Sequence, residues 1–515
     1  MRRSLLTLSN YNLFVLFDKD HAIAFLVIGI FPHPGISHFH FFHPLMRGLA
    51  KAGHDVTVVS YFPEKGPVEN YTHLTLTGMD ALVNDKNDYI YCLLFKQGPY
   101  TYFRDFFMIH DLGLMACEAL LNSDALTKIL NPPKPFDVVI VEQFNSDCVM
   151  GVAHKLHAPV IGLSSCAILP WHYKRIGTPD LPSYIPTIFL PLSQEMGFLD
   201  RVKNFLYFHS FKFLYRYLTQ PKTNRLLKNR FGDSIPDVRD LESNVSILLT
   251  NQHYSLSGVK PLTPAVIELG GLHIQEFQPL HPRILDAAKS GVIYISWGSL
   301  LRSSTLPDEK REAILNALGR FEHVVLWKWE NESIPNQPKN VHIRQWMPQK
   351  EILCHPNVKV FLSHGGLLGS SEAAYCGVPV VVTPMLGDQF MNAAALVQRG
   401  MGVLLPFQEI TEDSVHREKS ALGRREAARV ARVSACYRDR PQKPLESAIW
   451  WVEHVVRMKG LPLIKAPSIE LPWYIEYSFD TYAVIVLLLF ACYYVAKFFC
   501  YYIAKGKISF ILLDR

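Results

Sequence analysis

The chain has 515 residues, of which 49% are hydrophobic and 19% are charged, and its formal net charge is +6. This length exceeds what one ordinary hydrophobic core supports, so two globular domains are expected. The charged residues are scattered without a long Lys/Arg run, which argues against nucleic acid as a partner. The nine cysteines are widely spaced and form no Cys-x-x-Cys, so they predict at most one disulfide bond and no metal cluster.

The first residues are similar to a secretory signal. Met1-Arg2-Arg3 is basic and an apolar stretch follows over residues 5–17, but polar side chains interrupt it at residues 9–12. No small-residue cleavage site comes after this stretch. Residues 1–21 are therefore assigned as a signal-like segment whose cleavage stays open.

A βαβ unit opens the first domain. Residues 22–31 predict a buried strand, residues 32–38 a loop, residues 40–52 an amphipathic helix and residues 55–60 a second strand. His38 closes the loop at the carboxyl end of a strand, which is where α/β sheets bind their ligands. Imidazole has a pKa suited to accepting a proton near neutrality, so His38 is the candidate general base.

A carboxylate beside that histidine would orient the ring and stabilise its protonated form. The apolar strand predicted over residues 136–141 ends at Glu142, which is the candidate partner of His38. Asp147 is the alternative partner, and it lies further into the helix that follows the strand.

Strand and helix patterns alternate over residues 22–257 and again over residues 285–455, with a Pro- and Gly-bearing linker at residues 258–284. This alternation predicts an α/β protein with two Rossmann-like domains that face each other across a cleft. Within the first series, residues 170–228 are rich in aromatic side chains and predict helices. Those side chains suit an ordinary core, the wall of a lipophilic binding site or a membrane-facing surface.

The densest group of polar signals lies between Trp346 and Gln389. Residues 358–362 predict a strand, residues 363–366 (Ser-His-Gly-Gly) a turn, and residues 367–375 a helix. The first N–H groups of such a helix lack internal partners and point at the turn. Strand, turn and helix together therefore predict an anion site.

Four side chains near this anion site suit the other parts of a nucleotide sugar. An exposed Trp346 indole can stack on a base, and Glu372 can accept both hydroxyl protons of a ribose. Asp388 and Gln389 follow the strand predicted over residues 378–384, and they offer a carboxylate and an amide for sugar hydroxyls.

The ordered motifs W-x-P-Q, F-L-S-H-G-G, E-A, G-V-P and G-D-Q resemble the signature of the UDP-glycosyltransferase family, over about residues 25–505. The sequences of the motifs H-G-G-L-L-G and F-P-H-P-G are most similar to those of the insect branch. The resemblance implies the GT-B fold, with an acceptor-binding domain at residues 22–257 and a UDP-sugar-binding domain at residues 285–455. It also implies inverting transfer of a hexose to a hydroxyl of a small lipophilic acceptor, as in detoxification or in hormone and pigment conjugation.

The resemblance further implies roles for individual residues. Ser37-His38 falls on the family's catalytic pair, and Glu142 stands where the family has an aspartate. The implied donor contacts are Trp346 and Gln349 for uracil, Ser299, His364, Gly365 and Gly366 for the diphosphate, Glu372 for the ribose, and Asp388 and Gln389 for the sugar. Leu368 stands where many vertebrate and plant members carry Asn, which removes a polar contact.

Residues 481–504 form an apolar segment that is long enough, at 1.5 Å per residue, to cross a bilayer core of about 30 Å. Acidic residues precede it in the juxtamembrane segment 456–480, and lysines follow it in the tail 505–515. The positive-inside rule therefore predicts a single-pass protein with a cytosolic tail and with its catalytic domains on the opposite side of the membrane.

Three Asn-x-Ser/Thr sequons fit a luminal chain, and they lie at Asn70, Asn244 and Asn331. Residence in the endoplasmic reticulum membrane is implied by the resemblance alone. The oligomeric state, including a homo-oligomer, stays open.

Three interpretations of function follow. The first is a membrane-anchored transferase. The second is a catalytically impaired pseudoenzyme of the same fold, which Glu142 and the unusually basic residues 413–432 keep open. The third is an unrelated nucleotide-sugar enzyme such as an epimerase.

No Asp-x-Asp stands at the end of a strand, so neither a metal nor any cofactor beyond the UDP-sugar is expected. The insect-like sequence motifs favour glucose over glucuronate as the donor sugar. The identity of the acceptor stays open.

Overall fold

Two parallel β-sheets organise the chain. The structure is a computed structural model that describes residues 24–79, 98, 100–275, 288–299, 301–421 and 424–506. The strands are β1 Leu26–Ile30, β2 Asp55–Ser60, β3 Tyr71–Thr75, β4 Val138–Glu142, β5 Val160–Ser164, β6 Val245–Thr250, β7 Val266–Glu268, β8 Val292–Ser296, β9 Val324–Lys328, β10 Val341–Arg344, β11 Val358–Ser363, β12 Val380–Val382 and β13 Gly402–Leu404. The first sheet has the order β3-β2-β1-β4-β5-β6-β7 and the second the order β10-β9-β8-β11-β12-β13.

The helices lie between and around these strands. They are α1 Ile36–Lys51, α2 Thr101–Leu121, α3 Asp124–Leu130, α4 Cys148–Leu156, α5 Phe198–Leu214, α6 Gln220–Phe231, α7 Val238–Leu241, α8 Tyr254–Ser257, α9 Asp308–Gly319, α10 Gln349–Leu353, α11 Leu367–Cys376, α12 Gln389–Gln398, α13 Glu412–Ala421, α14 Arg424–Arg438, α15 Pro444–Arg457, α16 Trp473–Glu476 and α17 Phe479–Ala504. This arrangement confirms the prediction of an α/β protein with two Rossmann-like domains.

The strands form because their sequences are short runs of Val, Ile and Leu. Such runs suit a parallel sheet, whose two faces are both covered by helices. β4, β5 and β8 are buried along their whole length. β1 pairs with β2 and β4, and β8 pairs with β9 and β11, all in parallel. Because the strands are parallel, their carboxyl ends meet at one edge of each sheet.

Helix α1 begins earlier than its sequence predicts. It starts at Ile36 instead of residue 40, so His38 lies in the first helical turn and not in the predicted loop over residues 32–38. Gly35 precedes the helix in an extended conformation, and its carbonyl accepts hydrogen bonds from the N–H groups of His38 and Phe39. These two hydrogen bonds begin the helical pattern at Gly35, so the helix starts at Ile36.

Helix α15 crosses back from the end of the second sheet to the first domain. Ala448 and Val452 are buried in the same cluster as Leu45 and Leu49 of α1. A Cβ on Gly48 would lie 2.9 Å from Leu445, so the two helices approach closely where α1 has no side chain. The chain after Pro444 is thus held by the core of the first domain.

The described residues contain two disulfide bonds, which shows that the prediction of at most one was wrong. Cys117 of α2 bonds Cys148 at the start of α4, and Cys354 at the end of α10 bonds Cys376 at the end of α11. Sequence separations of 31 and 22 residues carry no pairing signal. The pairs form because helix packing brings their Cα atoms to 5.6 and 4.6 Å.

Helix α17 has 26 residues and none of its side chains is buried. It begins two residues before the predicted segment 481–504, and its length and apolar composition suffice to cross a membrane. The signal-like segment 1–21, residues 276–284 of the predicted linker and residues 507–515 of the predicted tail lie outside the described residues.

We expect Val452→Ala to lower the free energy of unfolding by about 2 kcal/mol, because it removes two buried methyl groups and leaves a cavity between α15 and α1. Glu446→Ala, at an exposed position of the same helix, is the matched control and should change stability little. Thermal unfolding of the detergent-solubilised chain measures both. Equal melting temperatures for the two variants would contradict the packing of α15 on the first domain.

Candidate active site

His38 and Glu142 meet at the carboxyl edge of the first sheet. His38 Nδ1 lies 2.5 Å from Glu142 Oε1, and the two side chains are 19% and 4% exposed, respectively. Glu142 is the last residue of β4, which pairs with β1, and the β1–α1 connection delivers His38 to the same edge. Asp147, the alternative partner, instead pairs with the buried guanidinium of Arg175 at 2.7 Å. The structure thus brings together the two residues that the sequence singled out.

Ser165 is a third member of this cluster that the sequence did not identify. Its hydroxyl lies 2.8 Å from the same His38 Nδ1. It follows β5, which pairs with β4, so three strand ends converge on one imidazole. The available signal was its position directly after the short apolar run that forms β5, although serines in that position are common.

Burial sets the protonation of the pair. It lowers the pKa of His38 and raises the pKa of Glu142, because each charged form loses hydration. Glu142 and Ser165 both contact Nδ1 of the His38 ring. In a neutral imidazole that carries its proton on Nδ1, the other nitrogen, Nε2, is the acceptor. This Nε2 has no partner among the described residues. His38 is therefore in the state that can accept a proton from a ligand.

Aromatic and apolar groups surround the pair on the side of the first domain. The rings of His33 and Phe144 lie 4.4 and 4.6 Å from the His38 ring. A pocket beside them is bordered by Glu142, Gly113 and the Cys117–Cys148 disulfide. The rings of His33 and Phe144 therefore border both the His38 side chain and this pocket.

Two turns of the second domain meet around His364. Ser299 follows β8 in the turn Trp297-Gly298-Ser299, and His364 follows β11. A Cβ on Gly298 would lie 2.6 Å from the His364 ring, and one on Gly366 would also overlap that ring. Both glycines are therefore required for His364 to fit between the turns. Burial, together with the positive charge of Lys328, lowers the pKa of His364 to about 4.

Helix α11 supplies free N–H groups at this turn. Gly366 caps the helix in an extended conformation, and no side chain accepts from its first turn. Gly365 has a φ of +81°, which favours glycine and lets the backbone turn into the helix. Lys328, which the sequence did not identify, donates to the carbonyl of Gly298 at 2.9 Å and brings a cation to the same place. This geometry suits a phosphate group.

The base and ribose candidates form one hydrogen-bonded group beside these turns. Trp346 is 65% exposed, as a stacking surface requires. Gln349 Nε2 donates to Glu372 Oε2 at 2.6 Å, and the Tyr294 hydroxyl donates to Gln349 Oε1 at 3.3 Å. His40 of α1 approaches Trp346 with a ring separation of 6.4 Å, so the first domain reaches this end of the site.

Asp388 and Gln389 lie where α12 begins, after the loop that follows β12. Asn392 Nδ2 donates to Asp388 Oδ2 at 2.9 Å and to the carbonyl of Gly365 at 3.0 Å, which ties this loop to the phosphate turn. Gln389 Oε1 accepts from the backbone N–H groups of residues 385 and 386, so its amide nitrogen is left for a ligand. Burial raises the pKa of Asp388 to about 6.

The two halves of the site are joined across the domains. Asp105 of α2 accepts from the N–H of Gly387 at 3.2 Å, while Arg104 holds its other carboxylate oxygen. Met391 of α12, three residues after Asp388, packs in the same apolar cluster as Cys166, which directly follows Ser165. Helix α12, which begins at the candidate sugar loop, therefore packs against the first domain beside the segment that holds Ser165. Among the described residues, no group of three or more His, Cys, Asp or Glu side chains has the geometry of a metal site.

Comparison with known proteins gives a family for this geometry. Residues 43–509 match the family model described as "UDP-glucoronosyl and UDP-glucosyl transferase". The chain is 34% identical to UDP-glycosyltransferase UGT5 of Dactylopius coccus, over 91% of this chain and 90% of that protein. It is 33% identical to UDP-glucosyltransferase 2 of the same insect, over 92% of each chain. It is 28% identical to human UDP-glucuronosyltransferase 1A3, over 88% of this chain and 86% of that protein.

Solved structures agree on the fold. The glycosyltransferase of kitacinnamycin superposes with a TM-score of 0.55 at 17% identity, covering 85% of this chain and 99% of its own. The calicheamicin glycosyltransferase CalG4 superposes with a TM-score of 0.54 at 17% identity, covering 84% and 99%. These likenesses confirm the GT-B architecture. The chain belongs to the UDP-glycosyltransferase family, and it is an enzyme of that family's type.

Proposed function

We propose that the chain transfers glucose from UDP-glucose to a hydroxyl of a small lipophilic acceptor, with inversion at the anomeric carbon. The observation that carries this proposal is the 2.5 Å contact between His38 and Glu142 at the carboxyl edge of the first sheet. An inert binding protein of the same fold would have no need for a neutral histidine paired with a buried carboxylate.

The reaction is a single displacement. The acceptor hydroxyl gives its proton to His38 Nε2 as its oxygen attacks the anomeric carbon from the face opposite UDP. The new C–O bond forms while the bond between the anomeric carbon and the UDP oxygen breaks, and UDP leaves with that electron pair. Glu142 stabilises the imidazolium that results, and Ser165 holds the same ring nitrogen.

Protein groups stabilise the leaving UDP. The first N–H groups of α11, the Ser299 hydroxyl and a neutral His364 surround the place where the diphosphate charge grows. Trp346 and Gln349 hold the uracil, Glu372 the ribose, and Asp388 with Gln389 the sugar hydroxyls. Fixed dipoles in a partly dry cleft cost no reorganisation during the reaction, so we assign the step to these groups without a metal.

Glucose is favoured because UDP-glucosyltransferase 2 of Dactylopius coccus is 33% identical along nearly the whole chain. A lipophilic acceptor is favoured by the aromatic surroundings of His38, including Phe144 at 4.6 Å. The assignment to the endoplasmic reticulum membrane, with luminal catalytic domains, is supported by α17 and by the exposure of all three sequon asparagines. Glycosylation at those asparagines and a detoxification role belong to the same proposal.

Membranes that contain the chain should consume UDP-glucose in the presence of a phenol such as 1-naphthol, and faster than they consume UDP-glucuronate. His38→Ala should lower kcat/KM by about 10²–10⁴-fold, the range for loss of a general base, while UDP affinity is unchanged. A donor-by-acceptor activity matrix and UDP titration measure these quantities. If wild type and His38→Ala bind UDP equally but neither turns over across a broad panel, the chain is a pseudoenzyme instead.

The pH profile should report the carboxylate of Glu142, whose pKa burial raises to about 7. The wild-type kcat/KM should fall as the pH drops through 7, because a protonated Glu142 no longer stabilises the imidazolium. The Glu142→Gln variant should have a lower kcat/KM than wild type at every pH. Its kcat/KM should not show this decline between pH 6 and 8. Asp388, with its pKa near 6, keeps a decline at lower pH in both proteins and serves as an internal reference. A decline of equal midpoint in both proteins would show that Glu142 does not control it.

Donor analogues test the ribose contact. Wild type should bind UDP-glucose about tenfold or more tightly than its 2′-deoxyuridine analogue, because a hydrogen bond to the Glu372 carboxylate is lost. Glu372→Ala should bind the two donors equally. Gln349→Ala, which removes the neighbour of Glu372, should weaken the binding of both donors and leave the ratio of the two affinities unchanged. Calorimetric titration gives the four affinities, and an unchanged ratio in Glu372→Ala contradicts the assignment.

A further inference from the structure

Helix α10 is fastened to helix α11 at both of its ends. At its first residue, Gln349 Nε2 donates to Glu372 Oε2 at 2.6 Å. Directly after its last residue, Cys354 forms a disulfide bond with Cys376, where α11 ends. The hydrogen bond lies among the proposed uracil and ribose contacts, and the disulfide lies at the other end of α10. The two links therefore bracket the whole of α10 on one neighbouring helix.

Helix α10 has little stability of its own. It has five residues, and no side chain caps its start. An isolated helix shorter than about 12–15 residues is only marginally stable in water, so α10 depends on its neighbours. Ile352 and Leu353 are buried in the core of the second domain. Apolar contacts are not directional, so they hold α10 against the core without fixing its distance from α11.

The donor site requires that distance to be fixed. A side-chain hydrogen bond is lost at a separation of about 3.6 Å, so a shift of about 1 Å would break the contact between Gln349 and Glu372. A Cβ on Gly369 of α11 would lie 3.3 Å from the Gln349 amide nitrogen, so the two helices are in close contact here. Trp346 stands three residues before Gln349. A displaced α10 would therefore move both the indole and the amide.

We propose that the Cys354–Cys376 disulfide positions the donor site, because it holds Gln349 against Glu372, and that its oxidation state sets the affinity for UDP. The inference rests on the UDP-sugar site proposed above. When a dithiol reduces this bond, the S–S bond breaks and the two sulfurs take up two electrons and two protons. The dithiol gives up the same electrons and protons and becomes a disulfide. Helix α10 then keeps only its noncovalent contacts.

Access to a reductant differs between the two disulfide bonds of the described residues. Cys354 and Cys376 are partly exposed. Cys117 and Cys148 are each 1% exposed, and they lie in the first domain. Thiol–disulfide exchange requires the attacking thiolate to reach a sulfur atom, so dithiothreitol should open the Cys354–Cys376 bond first. The Cys117–Cys148 bond is thus an internal control.

Removal of each bond tests the proposal in the detergent-solubilised full chain. Cys354→Ser with Cys376→Ser should raise the Kd for UDP and the KM for UDP-glucose about tenfold, the loss expected for a hydrogen bond to a charged group. The kcat at saturating donor should be unchanged, because the catalytic pair is untouched and only binding is lost. Cys117→Ser with Cys148→Ser is the matched control and should leave the Kd for UDP unchanged. Calorimetric titration and initial rates measure these quantities, and thermal unfolding confirms that each variant is folded.

Reduction of the wild type gives a second measurement without any substitution. Dithiothreitol should raise the Kd for UDP by the same factor, and reoxidation with glutathione disulfide should restore it. The variant with Cys354→Ser and Cys376→Ser should not respond to dithiothreitol. Alkylation followed by peptide mapping identifies which bond has opened. This measurement decides the question where the substituted chain does not fold.

An unchanged Kd for UDP after Cys354→Ser with Cys376→Ser, or after reduction of that bond, would overturn the proposal, because the bond would then support the fold and not the site. An equal rise in Kd in the control variant would overturn it as well, since loss of a distant disulfide would then have the same effect. Failure of the wild type to bind UDP would contradict the proposed function and this inference with it. The two failures are therefore distinguishable.

Discussion

The site depends on one constraint, the convergence of parallel strand ends at a sheet edge. In the first sheet, β4 ends at Glu142, β5 is followed by Ser165, and the connection after β1 delivers His38. Glu142 ends a strand, Ser165 directly follows a second strand, and His38 lies in the first turn of the helix that follows a third. Register within the sheet therefore fixes the 2.5 Å contact more firmly than any local loop could. The second sheet repeats this logic for the turns around His364.

Docking of the two sheets completes the site, and both polar and apolar contacts contribute to it. Asp105 accepts from the N–H of Gly387, and Met391 of α12 packs into the aromatic cluster that contains Phe106. A buried carboxylate that satisfies a backbone donor fixes orientation, while the apolar contact excludes water. Helix α15 adds a second crossing, so the relative position of the domains is held at two separate places.

Much of this could be predicted from the sequence, because strand runs, glycine turns and strand-end residues are local signals. The structure contains the predicted strand Asp55–Ser60 without change, and Glu372 lies on the expected helix. Ser165 and Asp105 were missed because their roles arise from the pairing of β4 with β5 and from contact between domains. The start of α1 was misplaced because the proline and glycine residues before residue 36 predict a longer loop. The helix instead begins directly at residue 36.

The glutamate in place of the family's aspartate fits this framework. Its extra methylene is accommodated, since Glu142 Oε1 reaches His38 Nδ1 while the side chain stays almost fully buried. Burial makes an isolated carboxylate at this position unfavourable in free energy. This free-energy cost falls when the imidazole gains a proton, because the carboxylate then lies beside an opposite charge. In the proposed reaction, the pair therefore gains stability when the acceptor loses its proton, which is the direction that a general base requires.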